Sequence, residues 1–369
     1  MQTDAHCWVE VNLSAIKQNY RSIRSALGVP VIAVVKGDAY GHGLIETALA
    51  LEEAGAPMLA VTYGQEALAL RSAGVQADIL VMSPPRGRDA VMAVQAGAVC
   101  AVMDLKGARE LAGCSALASR QTYVHLKVDS GMGRLGVLPE EAAEMAEEIT
   151  RIPGLALGGV FSHFAIGYDN DAASEQTAIF RKALHSLEAA GISPGMCHIA
   201  ASAGALAYPA AIMDAVRVGT LLFGQYPTRG LAKKFGKKLA LQETWKFQAR
   251  VLAVRRLPAG SKIGYGWEFR TRRPVTIAVV SAGLADGLGM QPASLARKGL
   301  KGALMALAGR QSAGFATIHG QPAPIVGRIA MQLATIDVTA LPDVNIGDVV
   351  TLPVRRLAVG SGTPRVFLP

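Results

Sequence analysis

Lys36 closes the apolar run "VIAVVK" (31–36), and Asp38, Tyr40 and His42 follow it within six residues in "AVVKGDAYGHG" (33–43). An ammonium carried on a buried strand and released at its end is placed to act as an amine nucleophile or a proton carrier. Other reactive types sit in the same position on other apolar runs. Lys127 and Asp129 end "YVHLKVD", His163 ends "LGGVFSHF", Ser202 ends "CHIAAS", and Arg217, Gly219 and Thr220 lie in "AVRVGTLL". Ser202 offers a hydroxyl, Tyr40 a phenol, and Gly219 and Thr220 offer backbone N–H groups with little side-chain obstruction. That set suits a phosphate. A lysine facing a phosphate cradle points to pyridoxal 5′-phosphate held as a Schiff base.

Plainer readings stand beside this one. A strand-end lysine is commonly just solvated, Ser202 can cap a following helix, and His163 can be a satisfied core histidine. "GMGRLG" (131–136) also matches the G-x-G-x-x-G pattern of dinucleotide sites. It opens a fifth repeat, however, and that pattern belongs at the first βα turn. What favours chemistry is the arrival of these groups at one face.

That face depends on the elements. Eight short apolar runs, at 31–36, 58–62, 78–83, 99–104, 123–129, 157–164, 197–202 and 215–222, alternate with amphipathic stretches such as "GLIETALALEEAG" and "PEEAAEMAEEITRI". Eight βα repeats are the number that closes a (β/α)8 TIM barrel, whose active site lies at the strand C-termini. Beyond residue 238 the texture changes to strand-like runs broken by Gly and Pro, with one helix-like piece near 293–308. The expected architecture is therefore α/β: a barrel over 1–237, then a smaller mostly-β domain over 238–369. The strand at about 6–13 could join either.

Composition narrows the classes. The chain of 369 residues is 51% hydrophobic and 18% charged, so a large core is expected and disorder is not. "MQTDAHCWVEVN" has neither a basic n-region nor an apolar h-region, so no signal peptide is expected. No run approaches the roughly 18–20 apolar residues of a membrane span. Cys7, Cys100, Cys114 and Cys197 are scattered, with no CxxC pair and no zinc spacing. Reduced thiols, a cytoplasmic location and no metal follow as expectations. The net charge of +9 is spread along the chain, apart from "KKFGKK" (233–238), and few aromatics accompany it. It therefore argues for no nucleic-acid partner, and a small anionic ligand explains it equally well.

At this point the sequence resembles the alanine racemases, a family of fold-type III pyridoxal-phosphate enzymes. The segments that carry the resemblance are "TDAHCWVEVNLSAIKQNY", "AVVKGDAYGHG", "HLKVDSGMGRLG", "GGVFSHFA", "DAVRVGTLLFG", "IGYGWEFR" and "GRIAMQLATIDVT". The resemblance implies an N-terminal barrel, a C-terminal β domain and a homodimer with two shared active sites. It implies racemisation of L- and D-alanine, supplying D-alanine for cell-wall synthesis. Lys36 would hold the cofactor and act as one proton carrier, and Tyr265 from the other subunit would act as the second. Arg217 would face the pyridine nitrogen, and His163 would link Arg217 to Tyr265. Tyr40, Ser202, Gly219 and Thr220 would bind the phosphate, while Arg134 and the backbone N–H of Met331 would hold the substrate carboxylate. Lys127 matches a position that is carbamylated in some members.

Four places depart from the family pattern. Ala201 stands where an asparagine is usual, Leu284 replaces the tyrosine of G-Y-A-D-G, and Gln332 replaces an aspartate. The C-terminal tail is shorter, with Ser361 nearest to a missing tyrosine. Loss of two rim phenols predicts a wider entrance and activity on serine, lysine or arginine besides alanine, unless Tyr226 or Trp267 refills the space. Three other readings compete: a non-catalytic carrier of the cofactor, a fold-type III decarboxylase, and a non-enzymatic domain in which these groups are decoration. The β domain carrying Tyr265 argues against the carrier. The decarboxylase needs an acid where Arg217 stands.

Overall fold

A computed structural model describes residues 3–290, 314–341, 343–360 and 362–369. The helix expected near 293–308 and Ser361 lie outside the described residues. The chain forms two compact units, one of Asn12–Thr244 and one of Met1–Val11 with Trp245–Leu368.

The first strand, β1 (Cys7–Asn12), belongs to the β unit and is described with it. The larger unit is built on eight parallel strands: β2 (Val31–Val34), β3 (Met58–Val61), β4 (Asp78–Val81), β5 (Val99–Val102), β6 (Thr122–Lys127), β7 (Leu155–Phe161), β8 (Met196–His198) and β9 (Val216–Val218). They hydrogen-bond in the order β8-β7-β6-β5-β4-β3-β2-β9. A single bridge between Ala201 and Arg217, with the Arg217 N–H donating to the Ala200 carbonyl at 3.0 Å, joins the two ends into a ring. The expected (β/α)8 barrel is thus present.

Strands buried on both faces explain why these segments read as unbroken apolar runs. Every residue of β2 and β3 is buried. Ile32, Val34, Met58, Ala60, Leu80 and Ala215 pack as one cluster, and the ring of Tyr40 lies against it. Each large aliphatic side chain buried here contributes on the order of 1.5–3 kcal/mol. The floor under the strand C-termini is therefore rigid.

The β unit is organised around one long strand, β10 (Trp245–Leu257). β1 pairs antiparallel with its first half, Cys7 opposite Ala249 and Val11 opposite Trp245. After β10 the chain makes the short hairpin of β11 (Lys262–Ile263) and β12 (Phe269–Arg270), whose loop holds Tyr265. Then follow β13 (Val275–Val280), β14 (Phe315–Ile318), β15 (Gln321–Pro324), β16 (Ala334–Asp337), β17 (Val349–Leu352) and β18 (Arg365–Leu368). A register shift between Val251 and Ala253 lets β10 leave its pairing with β1 and β17 and continue beside β13. Among the described residues, no helix is long and apolar enough to cross a membrane.

Candidate active site

The strands end earlier than their apolar runs suggest. β2 stops at Val34, and Lys36 lies beyond it in a turn where Gly37, Asp38, Ala39 and Tyr40 all take left-handed angles (φ 51 to 62). Such a run costs L-residues of order 1–2 kcal/mol each, so it persists only where its surroundings hold it. Here the side chains around it do so. Asp38 accepts the Leu44 N–H at 2.9 Å, at the start of helix Leu44–Glu53. His42 is fully buried, with Nδ1 donating to the Ala39 carbonyl at 3.0 Å and Nε2 accepting from the Thr244 hydroxyl at 2.9 Å. Its ring stacks on Phe223. Two of the polar residues after Lys36 thus hold the turn that aims it.

Tyr40 ends that turn and reaches the loop after β9. A Cβ built on Gly219 would lie 2.6 Å from the Tyr40 phenol oxygen, so any larger residue would have to push the phenol aside. The Gly219 N–H donates to Ser202 Oγ at 3.3 Å. Ser202 is the first residue of helix Ser202–Ala207, and Thr220 follows Gly219, half-buried. Tyr40, Ser202 and Gly219 therefore meet, with Thr220 next in the chain.

Arg217, on β9, is the most enclosed cation among the described residues. Its Nη2 donates to the carbonyls of Ser162 (2.6 Å) and Ile199 (3.1 Å) and to His163 Nδ1 (3.1 Å). Its Nη1 donates to the His198 carbonyl at 3.1 Å and to His198 Nδ1. Arginine can only donate, so both imidazoles present a bare Nδ1 to it and carry their protons on Nε2. The Nε2–H of His198 then donates to His125 Nδ1, 3.0 Å away. Burial and the nearby Arg217 charge push His125 down to about 4 and His163 to about 3, and hold His198 well below the usual range. All three are neutral at pH 7. Burial also draws Arg217 down to about 9, which leaves it a cation there.

Lys127 ends β6 with its ammonium 4.2 Å over the Phe161 ring. Burial, then Arg217 and Arg134, pull it down to about 7. Lys36 is lowered as well, by desolvation first, then by Arg134 and Arg217, with Glu66 opposing. Among the described residues, two carboxylates, Asp129 and Glu66, act on these lysines, and backbone donors occupy both. Asp129 accepts the N–H groups of Gly131, Met132, Gly133 and Arg134 at 2.7–3.1 Å. Burial raises its pKa, but those four bonds outweigh that and leave it lowered. The "GMGRLG" glycines serve this loop: Gly131, Gly133 and Gly136 have positive φ, and a Cβ on Gly136 would lie 2.5 Å from the Asp129 nitrogen. The motif encloses a carboxylate of its own chain, and its exposed Arg134 is left beside Lys36 and Lys127.

Lys36, Lys127, Arg134 and Arg217 thus form a field that favours an anion, and the Tyr40–Ser202–Gly219 corner supplies uncharged groups suited to a phosphate. Among the described residues, no group of three His, Cys, Asp or Glu side chains could hold a metal ion. In the β unit, Tyr265 and Met331 are 69% and 64% exposed. The Met331 carbonyl accepts the Ala285 N–H, which places Leu284 beside the Ala330–Met331 loop. Leu284 and Gln332 are exposed and Ala201 is half-buried. Trp267 lies under the Lys262 ammonium at 3.6 Å, and the Tyr226 hydroxyl is engaged by the carbonyls of Phe235 and Leu239. Sequence reasoning missed His125, His198 and Glu66.

Known proteins resemble this chain over nearly its whole length. Residues 11–227 match the family model "Alanine racemase, N-terminal domain", and residues 244–359 match "Alanine racemase, C-terminal domain". An alanine racemase of Desulfosudis oleivorans is 36% identical over 363 residues, covering 95% of this chain and 87% of that one. One of Methanococcus maripaludis is 34% identical over 94% of this chain and 88% of its own. Among solved structures, the alanine racemase of Clostridium difficile 630 superposes with a TM-score of 0.88 at 25% identity, covering 100% of this chain and 97% of the other. That of a D-cycloserine-producing Streptomyces lavendulae gives 0.86 at 27% identity, covering 100% and 98%.

Proposed function

The chain belongs to the alanine racemase family, and we propose that it interconverts L- and D-alanine with pyridoxal 5′-phosphate, using two proton carriers on opposite faces of the substrate carbon. The observation that carries this reading is the corner where a Gly219 Cβ would fill the space under the Tyr40 phenol, set among four cations at the ends of the barrel strands. It fits a phosphate-bearing, aldehyde-bearing cofactor.

Tyr40, Ser202, Gly219 and Thr220 would hold the phosphate, and Lys36 would bind the cofactor covalently. When bound, the cofactor acidifies the hydrogen on the substrate's Cα. Arg217 would face the pyridine nitrogen. Its guanidinium, held by two neutral imidazoles and three carbonyls, is permanently charged and can only donate, so it has no proton acid enough to pass to that nitrogen and would leave it unprotonated. The same cation argues against a decarboxylase, which needs an acid there.

Inversion requires a proton to leave one face and arrive on the other. Lys36 is suited to one face, because burial first, then the Arg134 and Arg217 charges, lower its affinity for the proton it would carry. Tyr265 of the partner subunit would serve the other in a homodimer, its exposure leaving the phenol available to a second copy. Arg134 and the Met331 N–H would hold the substrate carboxylate. A Lys127 amine lowered to about 7 among cations is suited to capture carbon dioxide as a carbamate, whose charge would offset Arg217 and Arg134.

The test is Tyr265→Phe, assayed for racemisation and for solvent deuterium entering each enantiomer. A loss of about 10²–10⁴-fold in inversion is expected, the usual weight of a general acid or base. Turnover equal to the parent enzyme would overturn the two-carrier reading. A cofactor carrier would show no turnover to lose. A panel of alanine, serine, lysine and arginine tests the altered rim. Leu284 in place of a phenol predicts measurable serine turnover, and a strict preference for alanine would remove that part of the proposal.

A further inference from the structure

Glu66 has no place in the chemistry above, yet it is bound to the residue next to Lys36. It lies near the start of helix Gly64–Ser72, where Oε2 accepts the N–H groups of Thr62 (2.8 Å) and Tyr63 (3.1 Å). Those two bonds alone would make it an ordinary helix-start residue. Its other oxygen does something different. Oε1 accepts the Gly37 N–H at 2.8 Å, from the neighbouring repeat 29 residues away.

Gly37 is the first residue of the left-handed turn, at φ 62 and ψ 54. Nothing lies within 4 Å of a Cβ built there, so crowding does not demand the glycine; its backbone angle does. A turn of that hand needs an external tie. Among the described residues, Glu66 also supplies the negative charge that acts on the Lys36 amine, where Arg134 and Arg217 oppose it. Lys127 adds to the positive side, and His163 beside it is neutral. Asp129 is committed to its own loop.

We infer that Glu66 is a positioning residue for Lys36: one carboxylate oxygen clamps the first N–H of the turn behind the lysine, and the other anchors that clamp to the next βα loop. This deepens the proposed function and rests on Lys36 being its proton carrier. Losing the clamp lets the amine drift, and displacement of a reacting group by about 1 Å can cost on the order of 10²-fold in rate. Losing the charge makes the ammonium less favourable, so Lys36 releases its proton at lower pH.

The experiment compares the full-length enzyme, supplied with pyridoxal 5′-phosphate, with its Glu66→Gln and Glu66→Ala variants. Hydrogen exchange read by mass spectrometry on the peptide around residues 35–41 reports the clamp directly. Exchange of the Gly37 amide should rise about tenfold or more in Glu66→Ala and less in Glu66→Gln, which keeps one acceptor. In both variants kcat for alanine should fall about 10- to 100-fold with KM changed less than threefold. The pH limb of kcat that belongs to Lys36 should move down in Glu66→Gln. A lowered Tm with the Gly37 exchange, kcat and pH limb all unchanged would reduce Glu66 to a helix-start residue and overturn the inference. Should the parent enzyme not turn over alanine at all, the functional reading fails, and the Gly37 exchange alone still decides the clamp.

Discussion

Gly219→Ala is the sharpest steric test of the cofactor corner. Gly219 does not have positive φ, so alanine adopts its backbone without strain, and the only change is one methyl group. That methyl would sit 2.6 Å from the Tyr40 phenol oxygen and 3.0 and 3.2 Å from two of its ring carbons. Ordinary contacts begin near 3.4 Å, so the phenol must retreat by roughly 1 Å. Its ring is packed against Phe223, at 5.2 Å between centroids, and against the barrel cluster around Ile32 and Leu80. Little slack exists behind it. Overpacking of this kind costs about 1–3 kcal/mol. If the phenol is part of the phosphate site, that cost appears in cofactor affinity as a loss of about 5- to 150-fold. Equilibrium dialysis against pyridoxal 5′-phosphate measures it, with the unfolding free energy of the cofactor-free variant as a control. A variant that binds the cofactor as tightly as the parent, with unchanged racemase activity, would refute the reasoning.

Two further expectations concern the barrel interior. A Cβ on Gly159 would lie 2.6 Å from the Met196 carbonyl and 2.7 Å from His125 Nε2, so Gly159→Ala should cost on the order of 1–3 kcal/mol in denaturant unfolding; a cost below about 0.5 kcal/mol would show that β7 and β8 pack less closely than described. Lys127 sits at about 7 when folded, against about 10.4 for a free lysine, so from pH 7 to 10 the folded state binds one proton fewer and the stability penalty of this residue shrinks as pH rises. In carbonate-free buffer, Lys127→Met should therefore be more stable than the parent by a margin that is constant below pH 7 and narrows towards pH 10, and a margin that does not narrow would contradict it.

Much of this was readable before any coordinates, for physical reasons. Parallel strands covered on both faces must be apolar throughout, so eight such runs announce a barrel. The strand ends read too long, because apolar character continues past the hydrogen-bonded part. Val35 is buried although β2 stops at Val34, and only Gly37 and Gly41 hint that the backbone reverses its hand there. His125 and His198 were missed because the apolar runs read on to Asp129 and Ser202, whereas these two buried rings lie earlier in them, His198 being where β8 actually ends. The glycine pair at 158–159 was the available signal, since one of them exists to admit the His125 ring. Glu66 shows the opposite limit. "TYGQE" has the spacing of a helix start, but no local pattern reveals that its second oxygen serves Gly37 in the preceding repeat. Likewise, nothing periodic links Tyr265 to Lys36; that pairing came from the family resemblance.

As a backbone ladder the barrel closes between β8 and β9 by one bridge, helped by the Asp214 N–H on the Cys197 carbonyl and by the Arg217 guanidinium on the His198 and Ile199 carbonyls, while its other joints carry two to six paired positions. Ser202 stands just beyond one side of that seam, and Gly219 just beyond the other. A phosphate gripped by both would act as a staple, fastening the ring at its thinnest weld. Occupancy of the site and integrity of the scaffold would then be a single property, and protein kept saturated with pyridoxal 5′-phosphate should resist proteolytic nicking near residues 199–201 far longer than protein left without it.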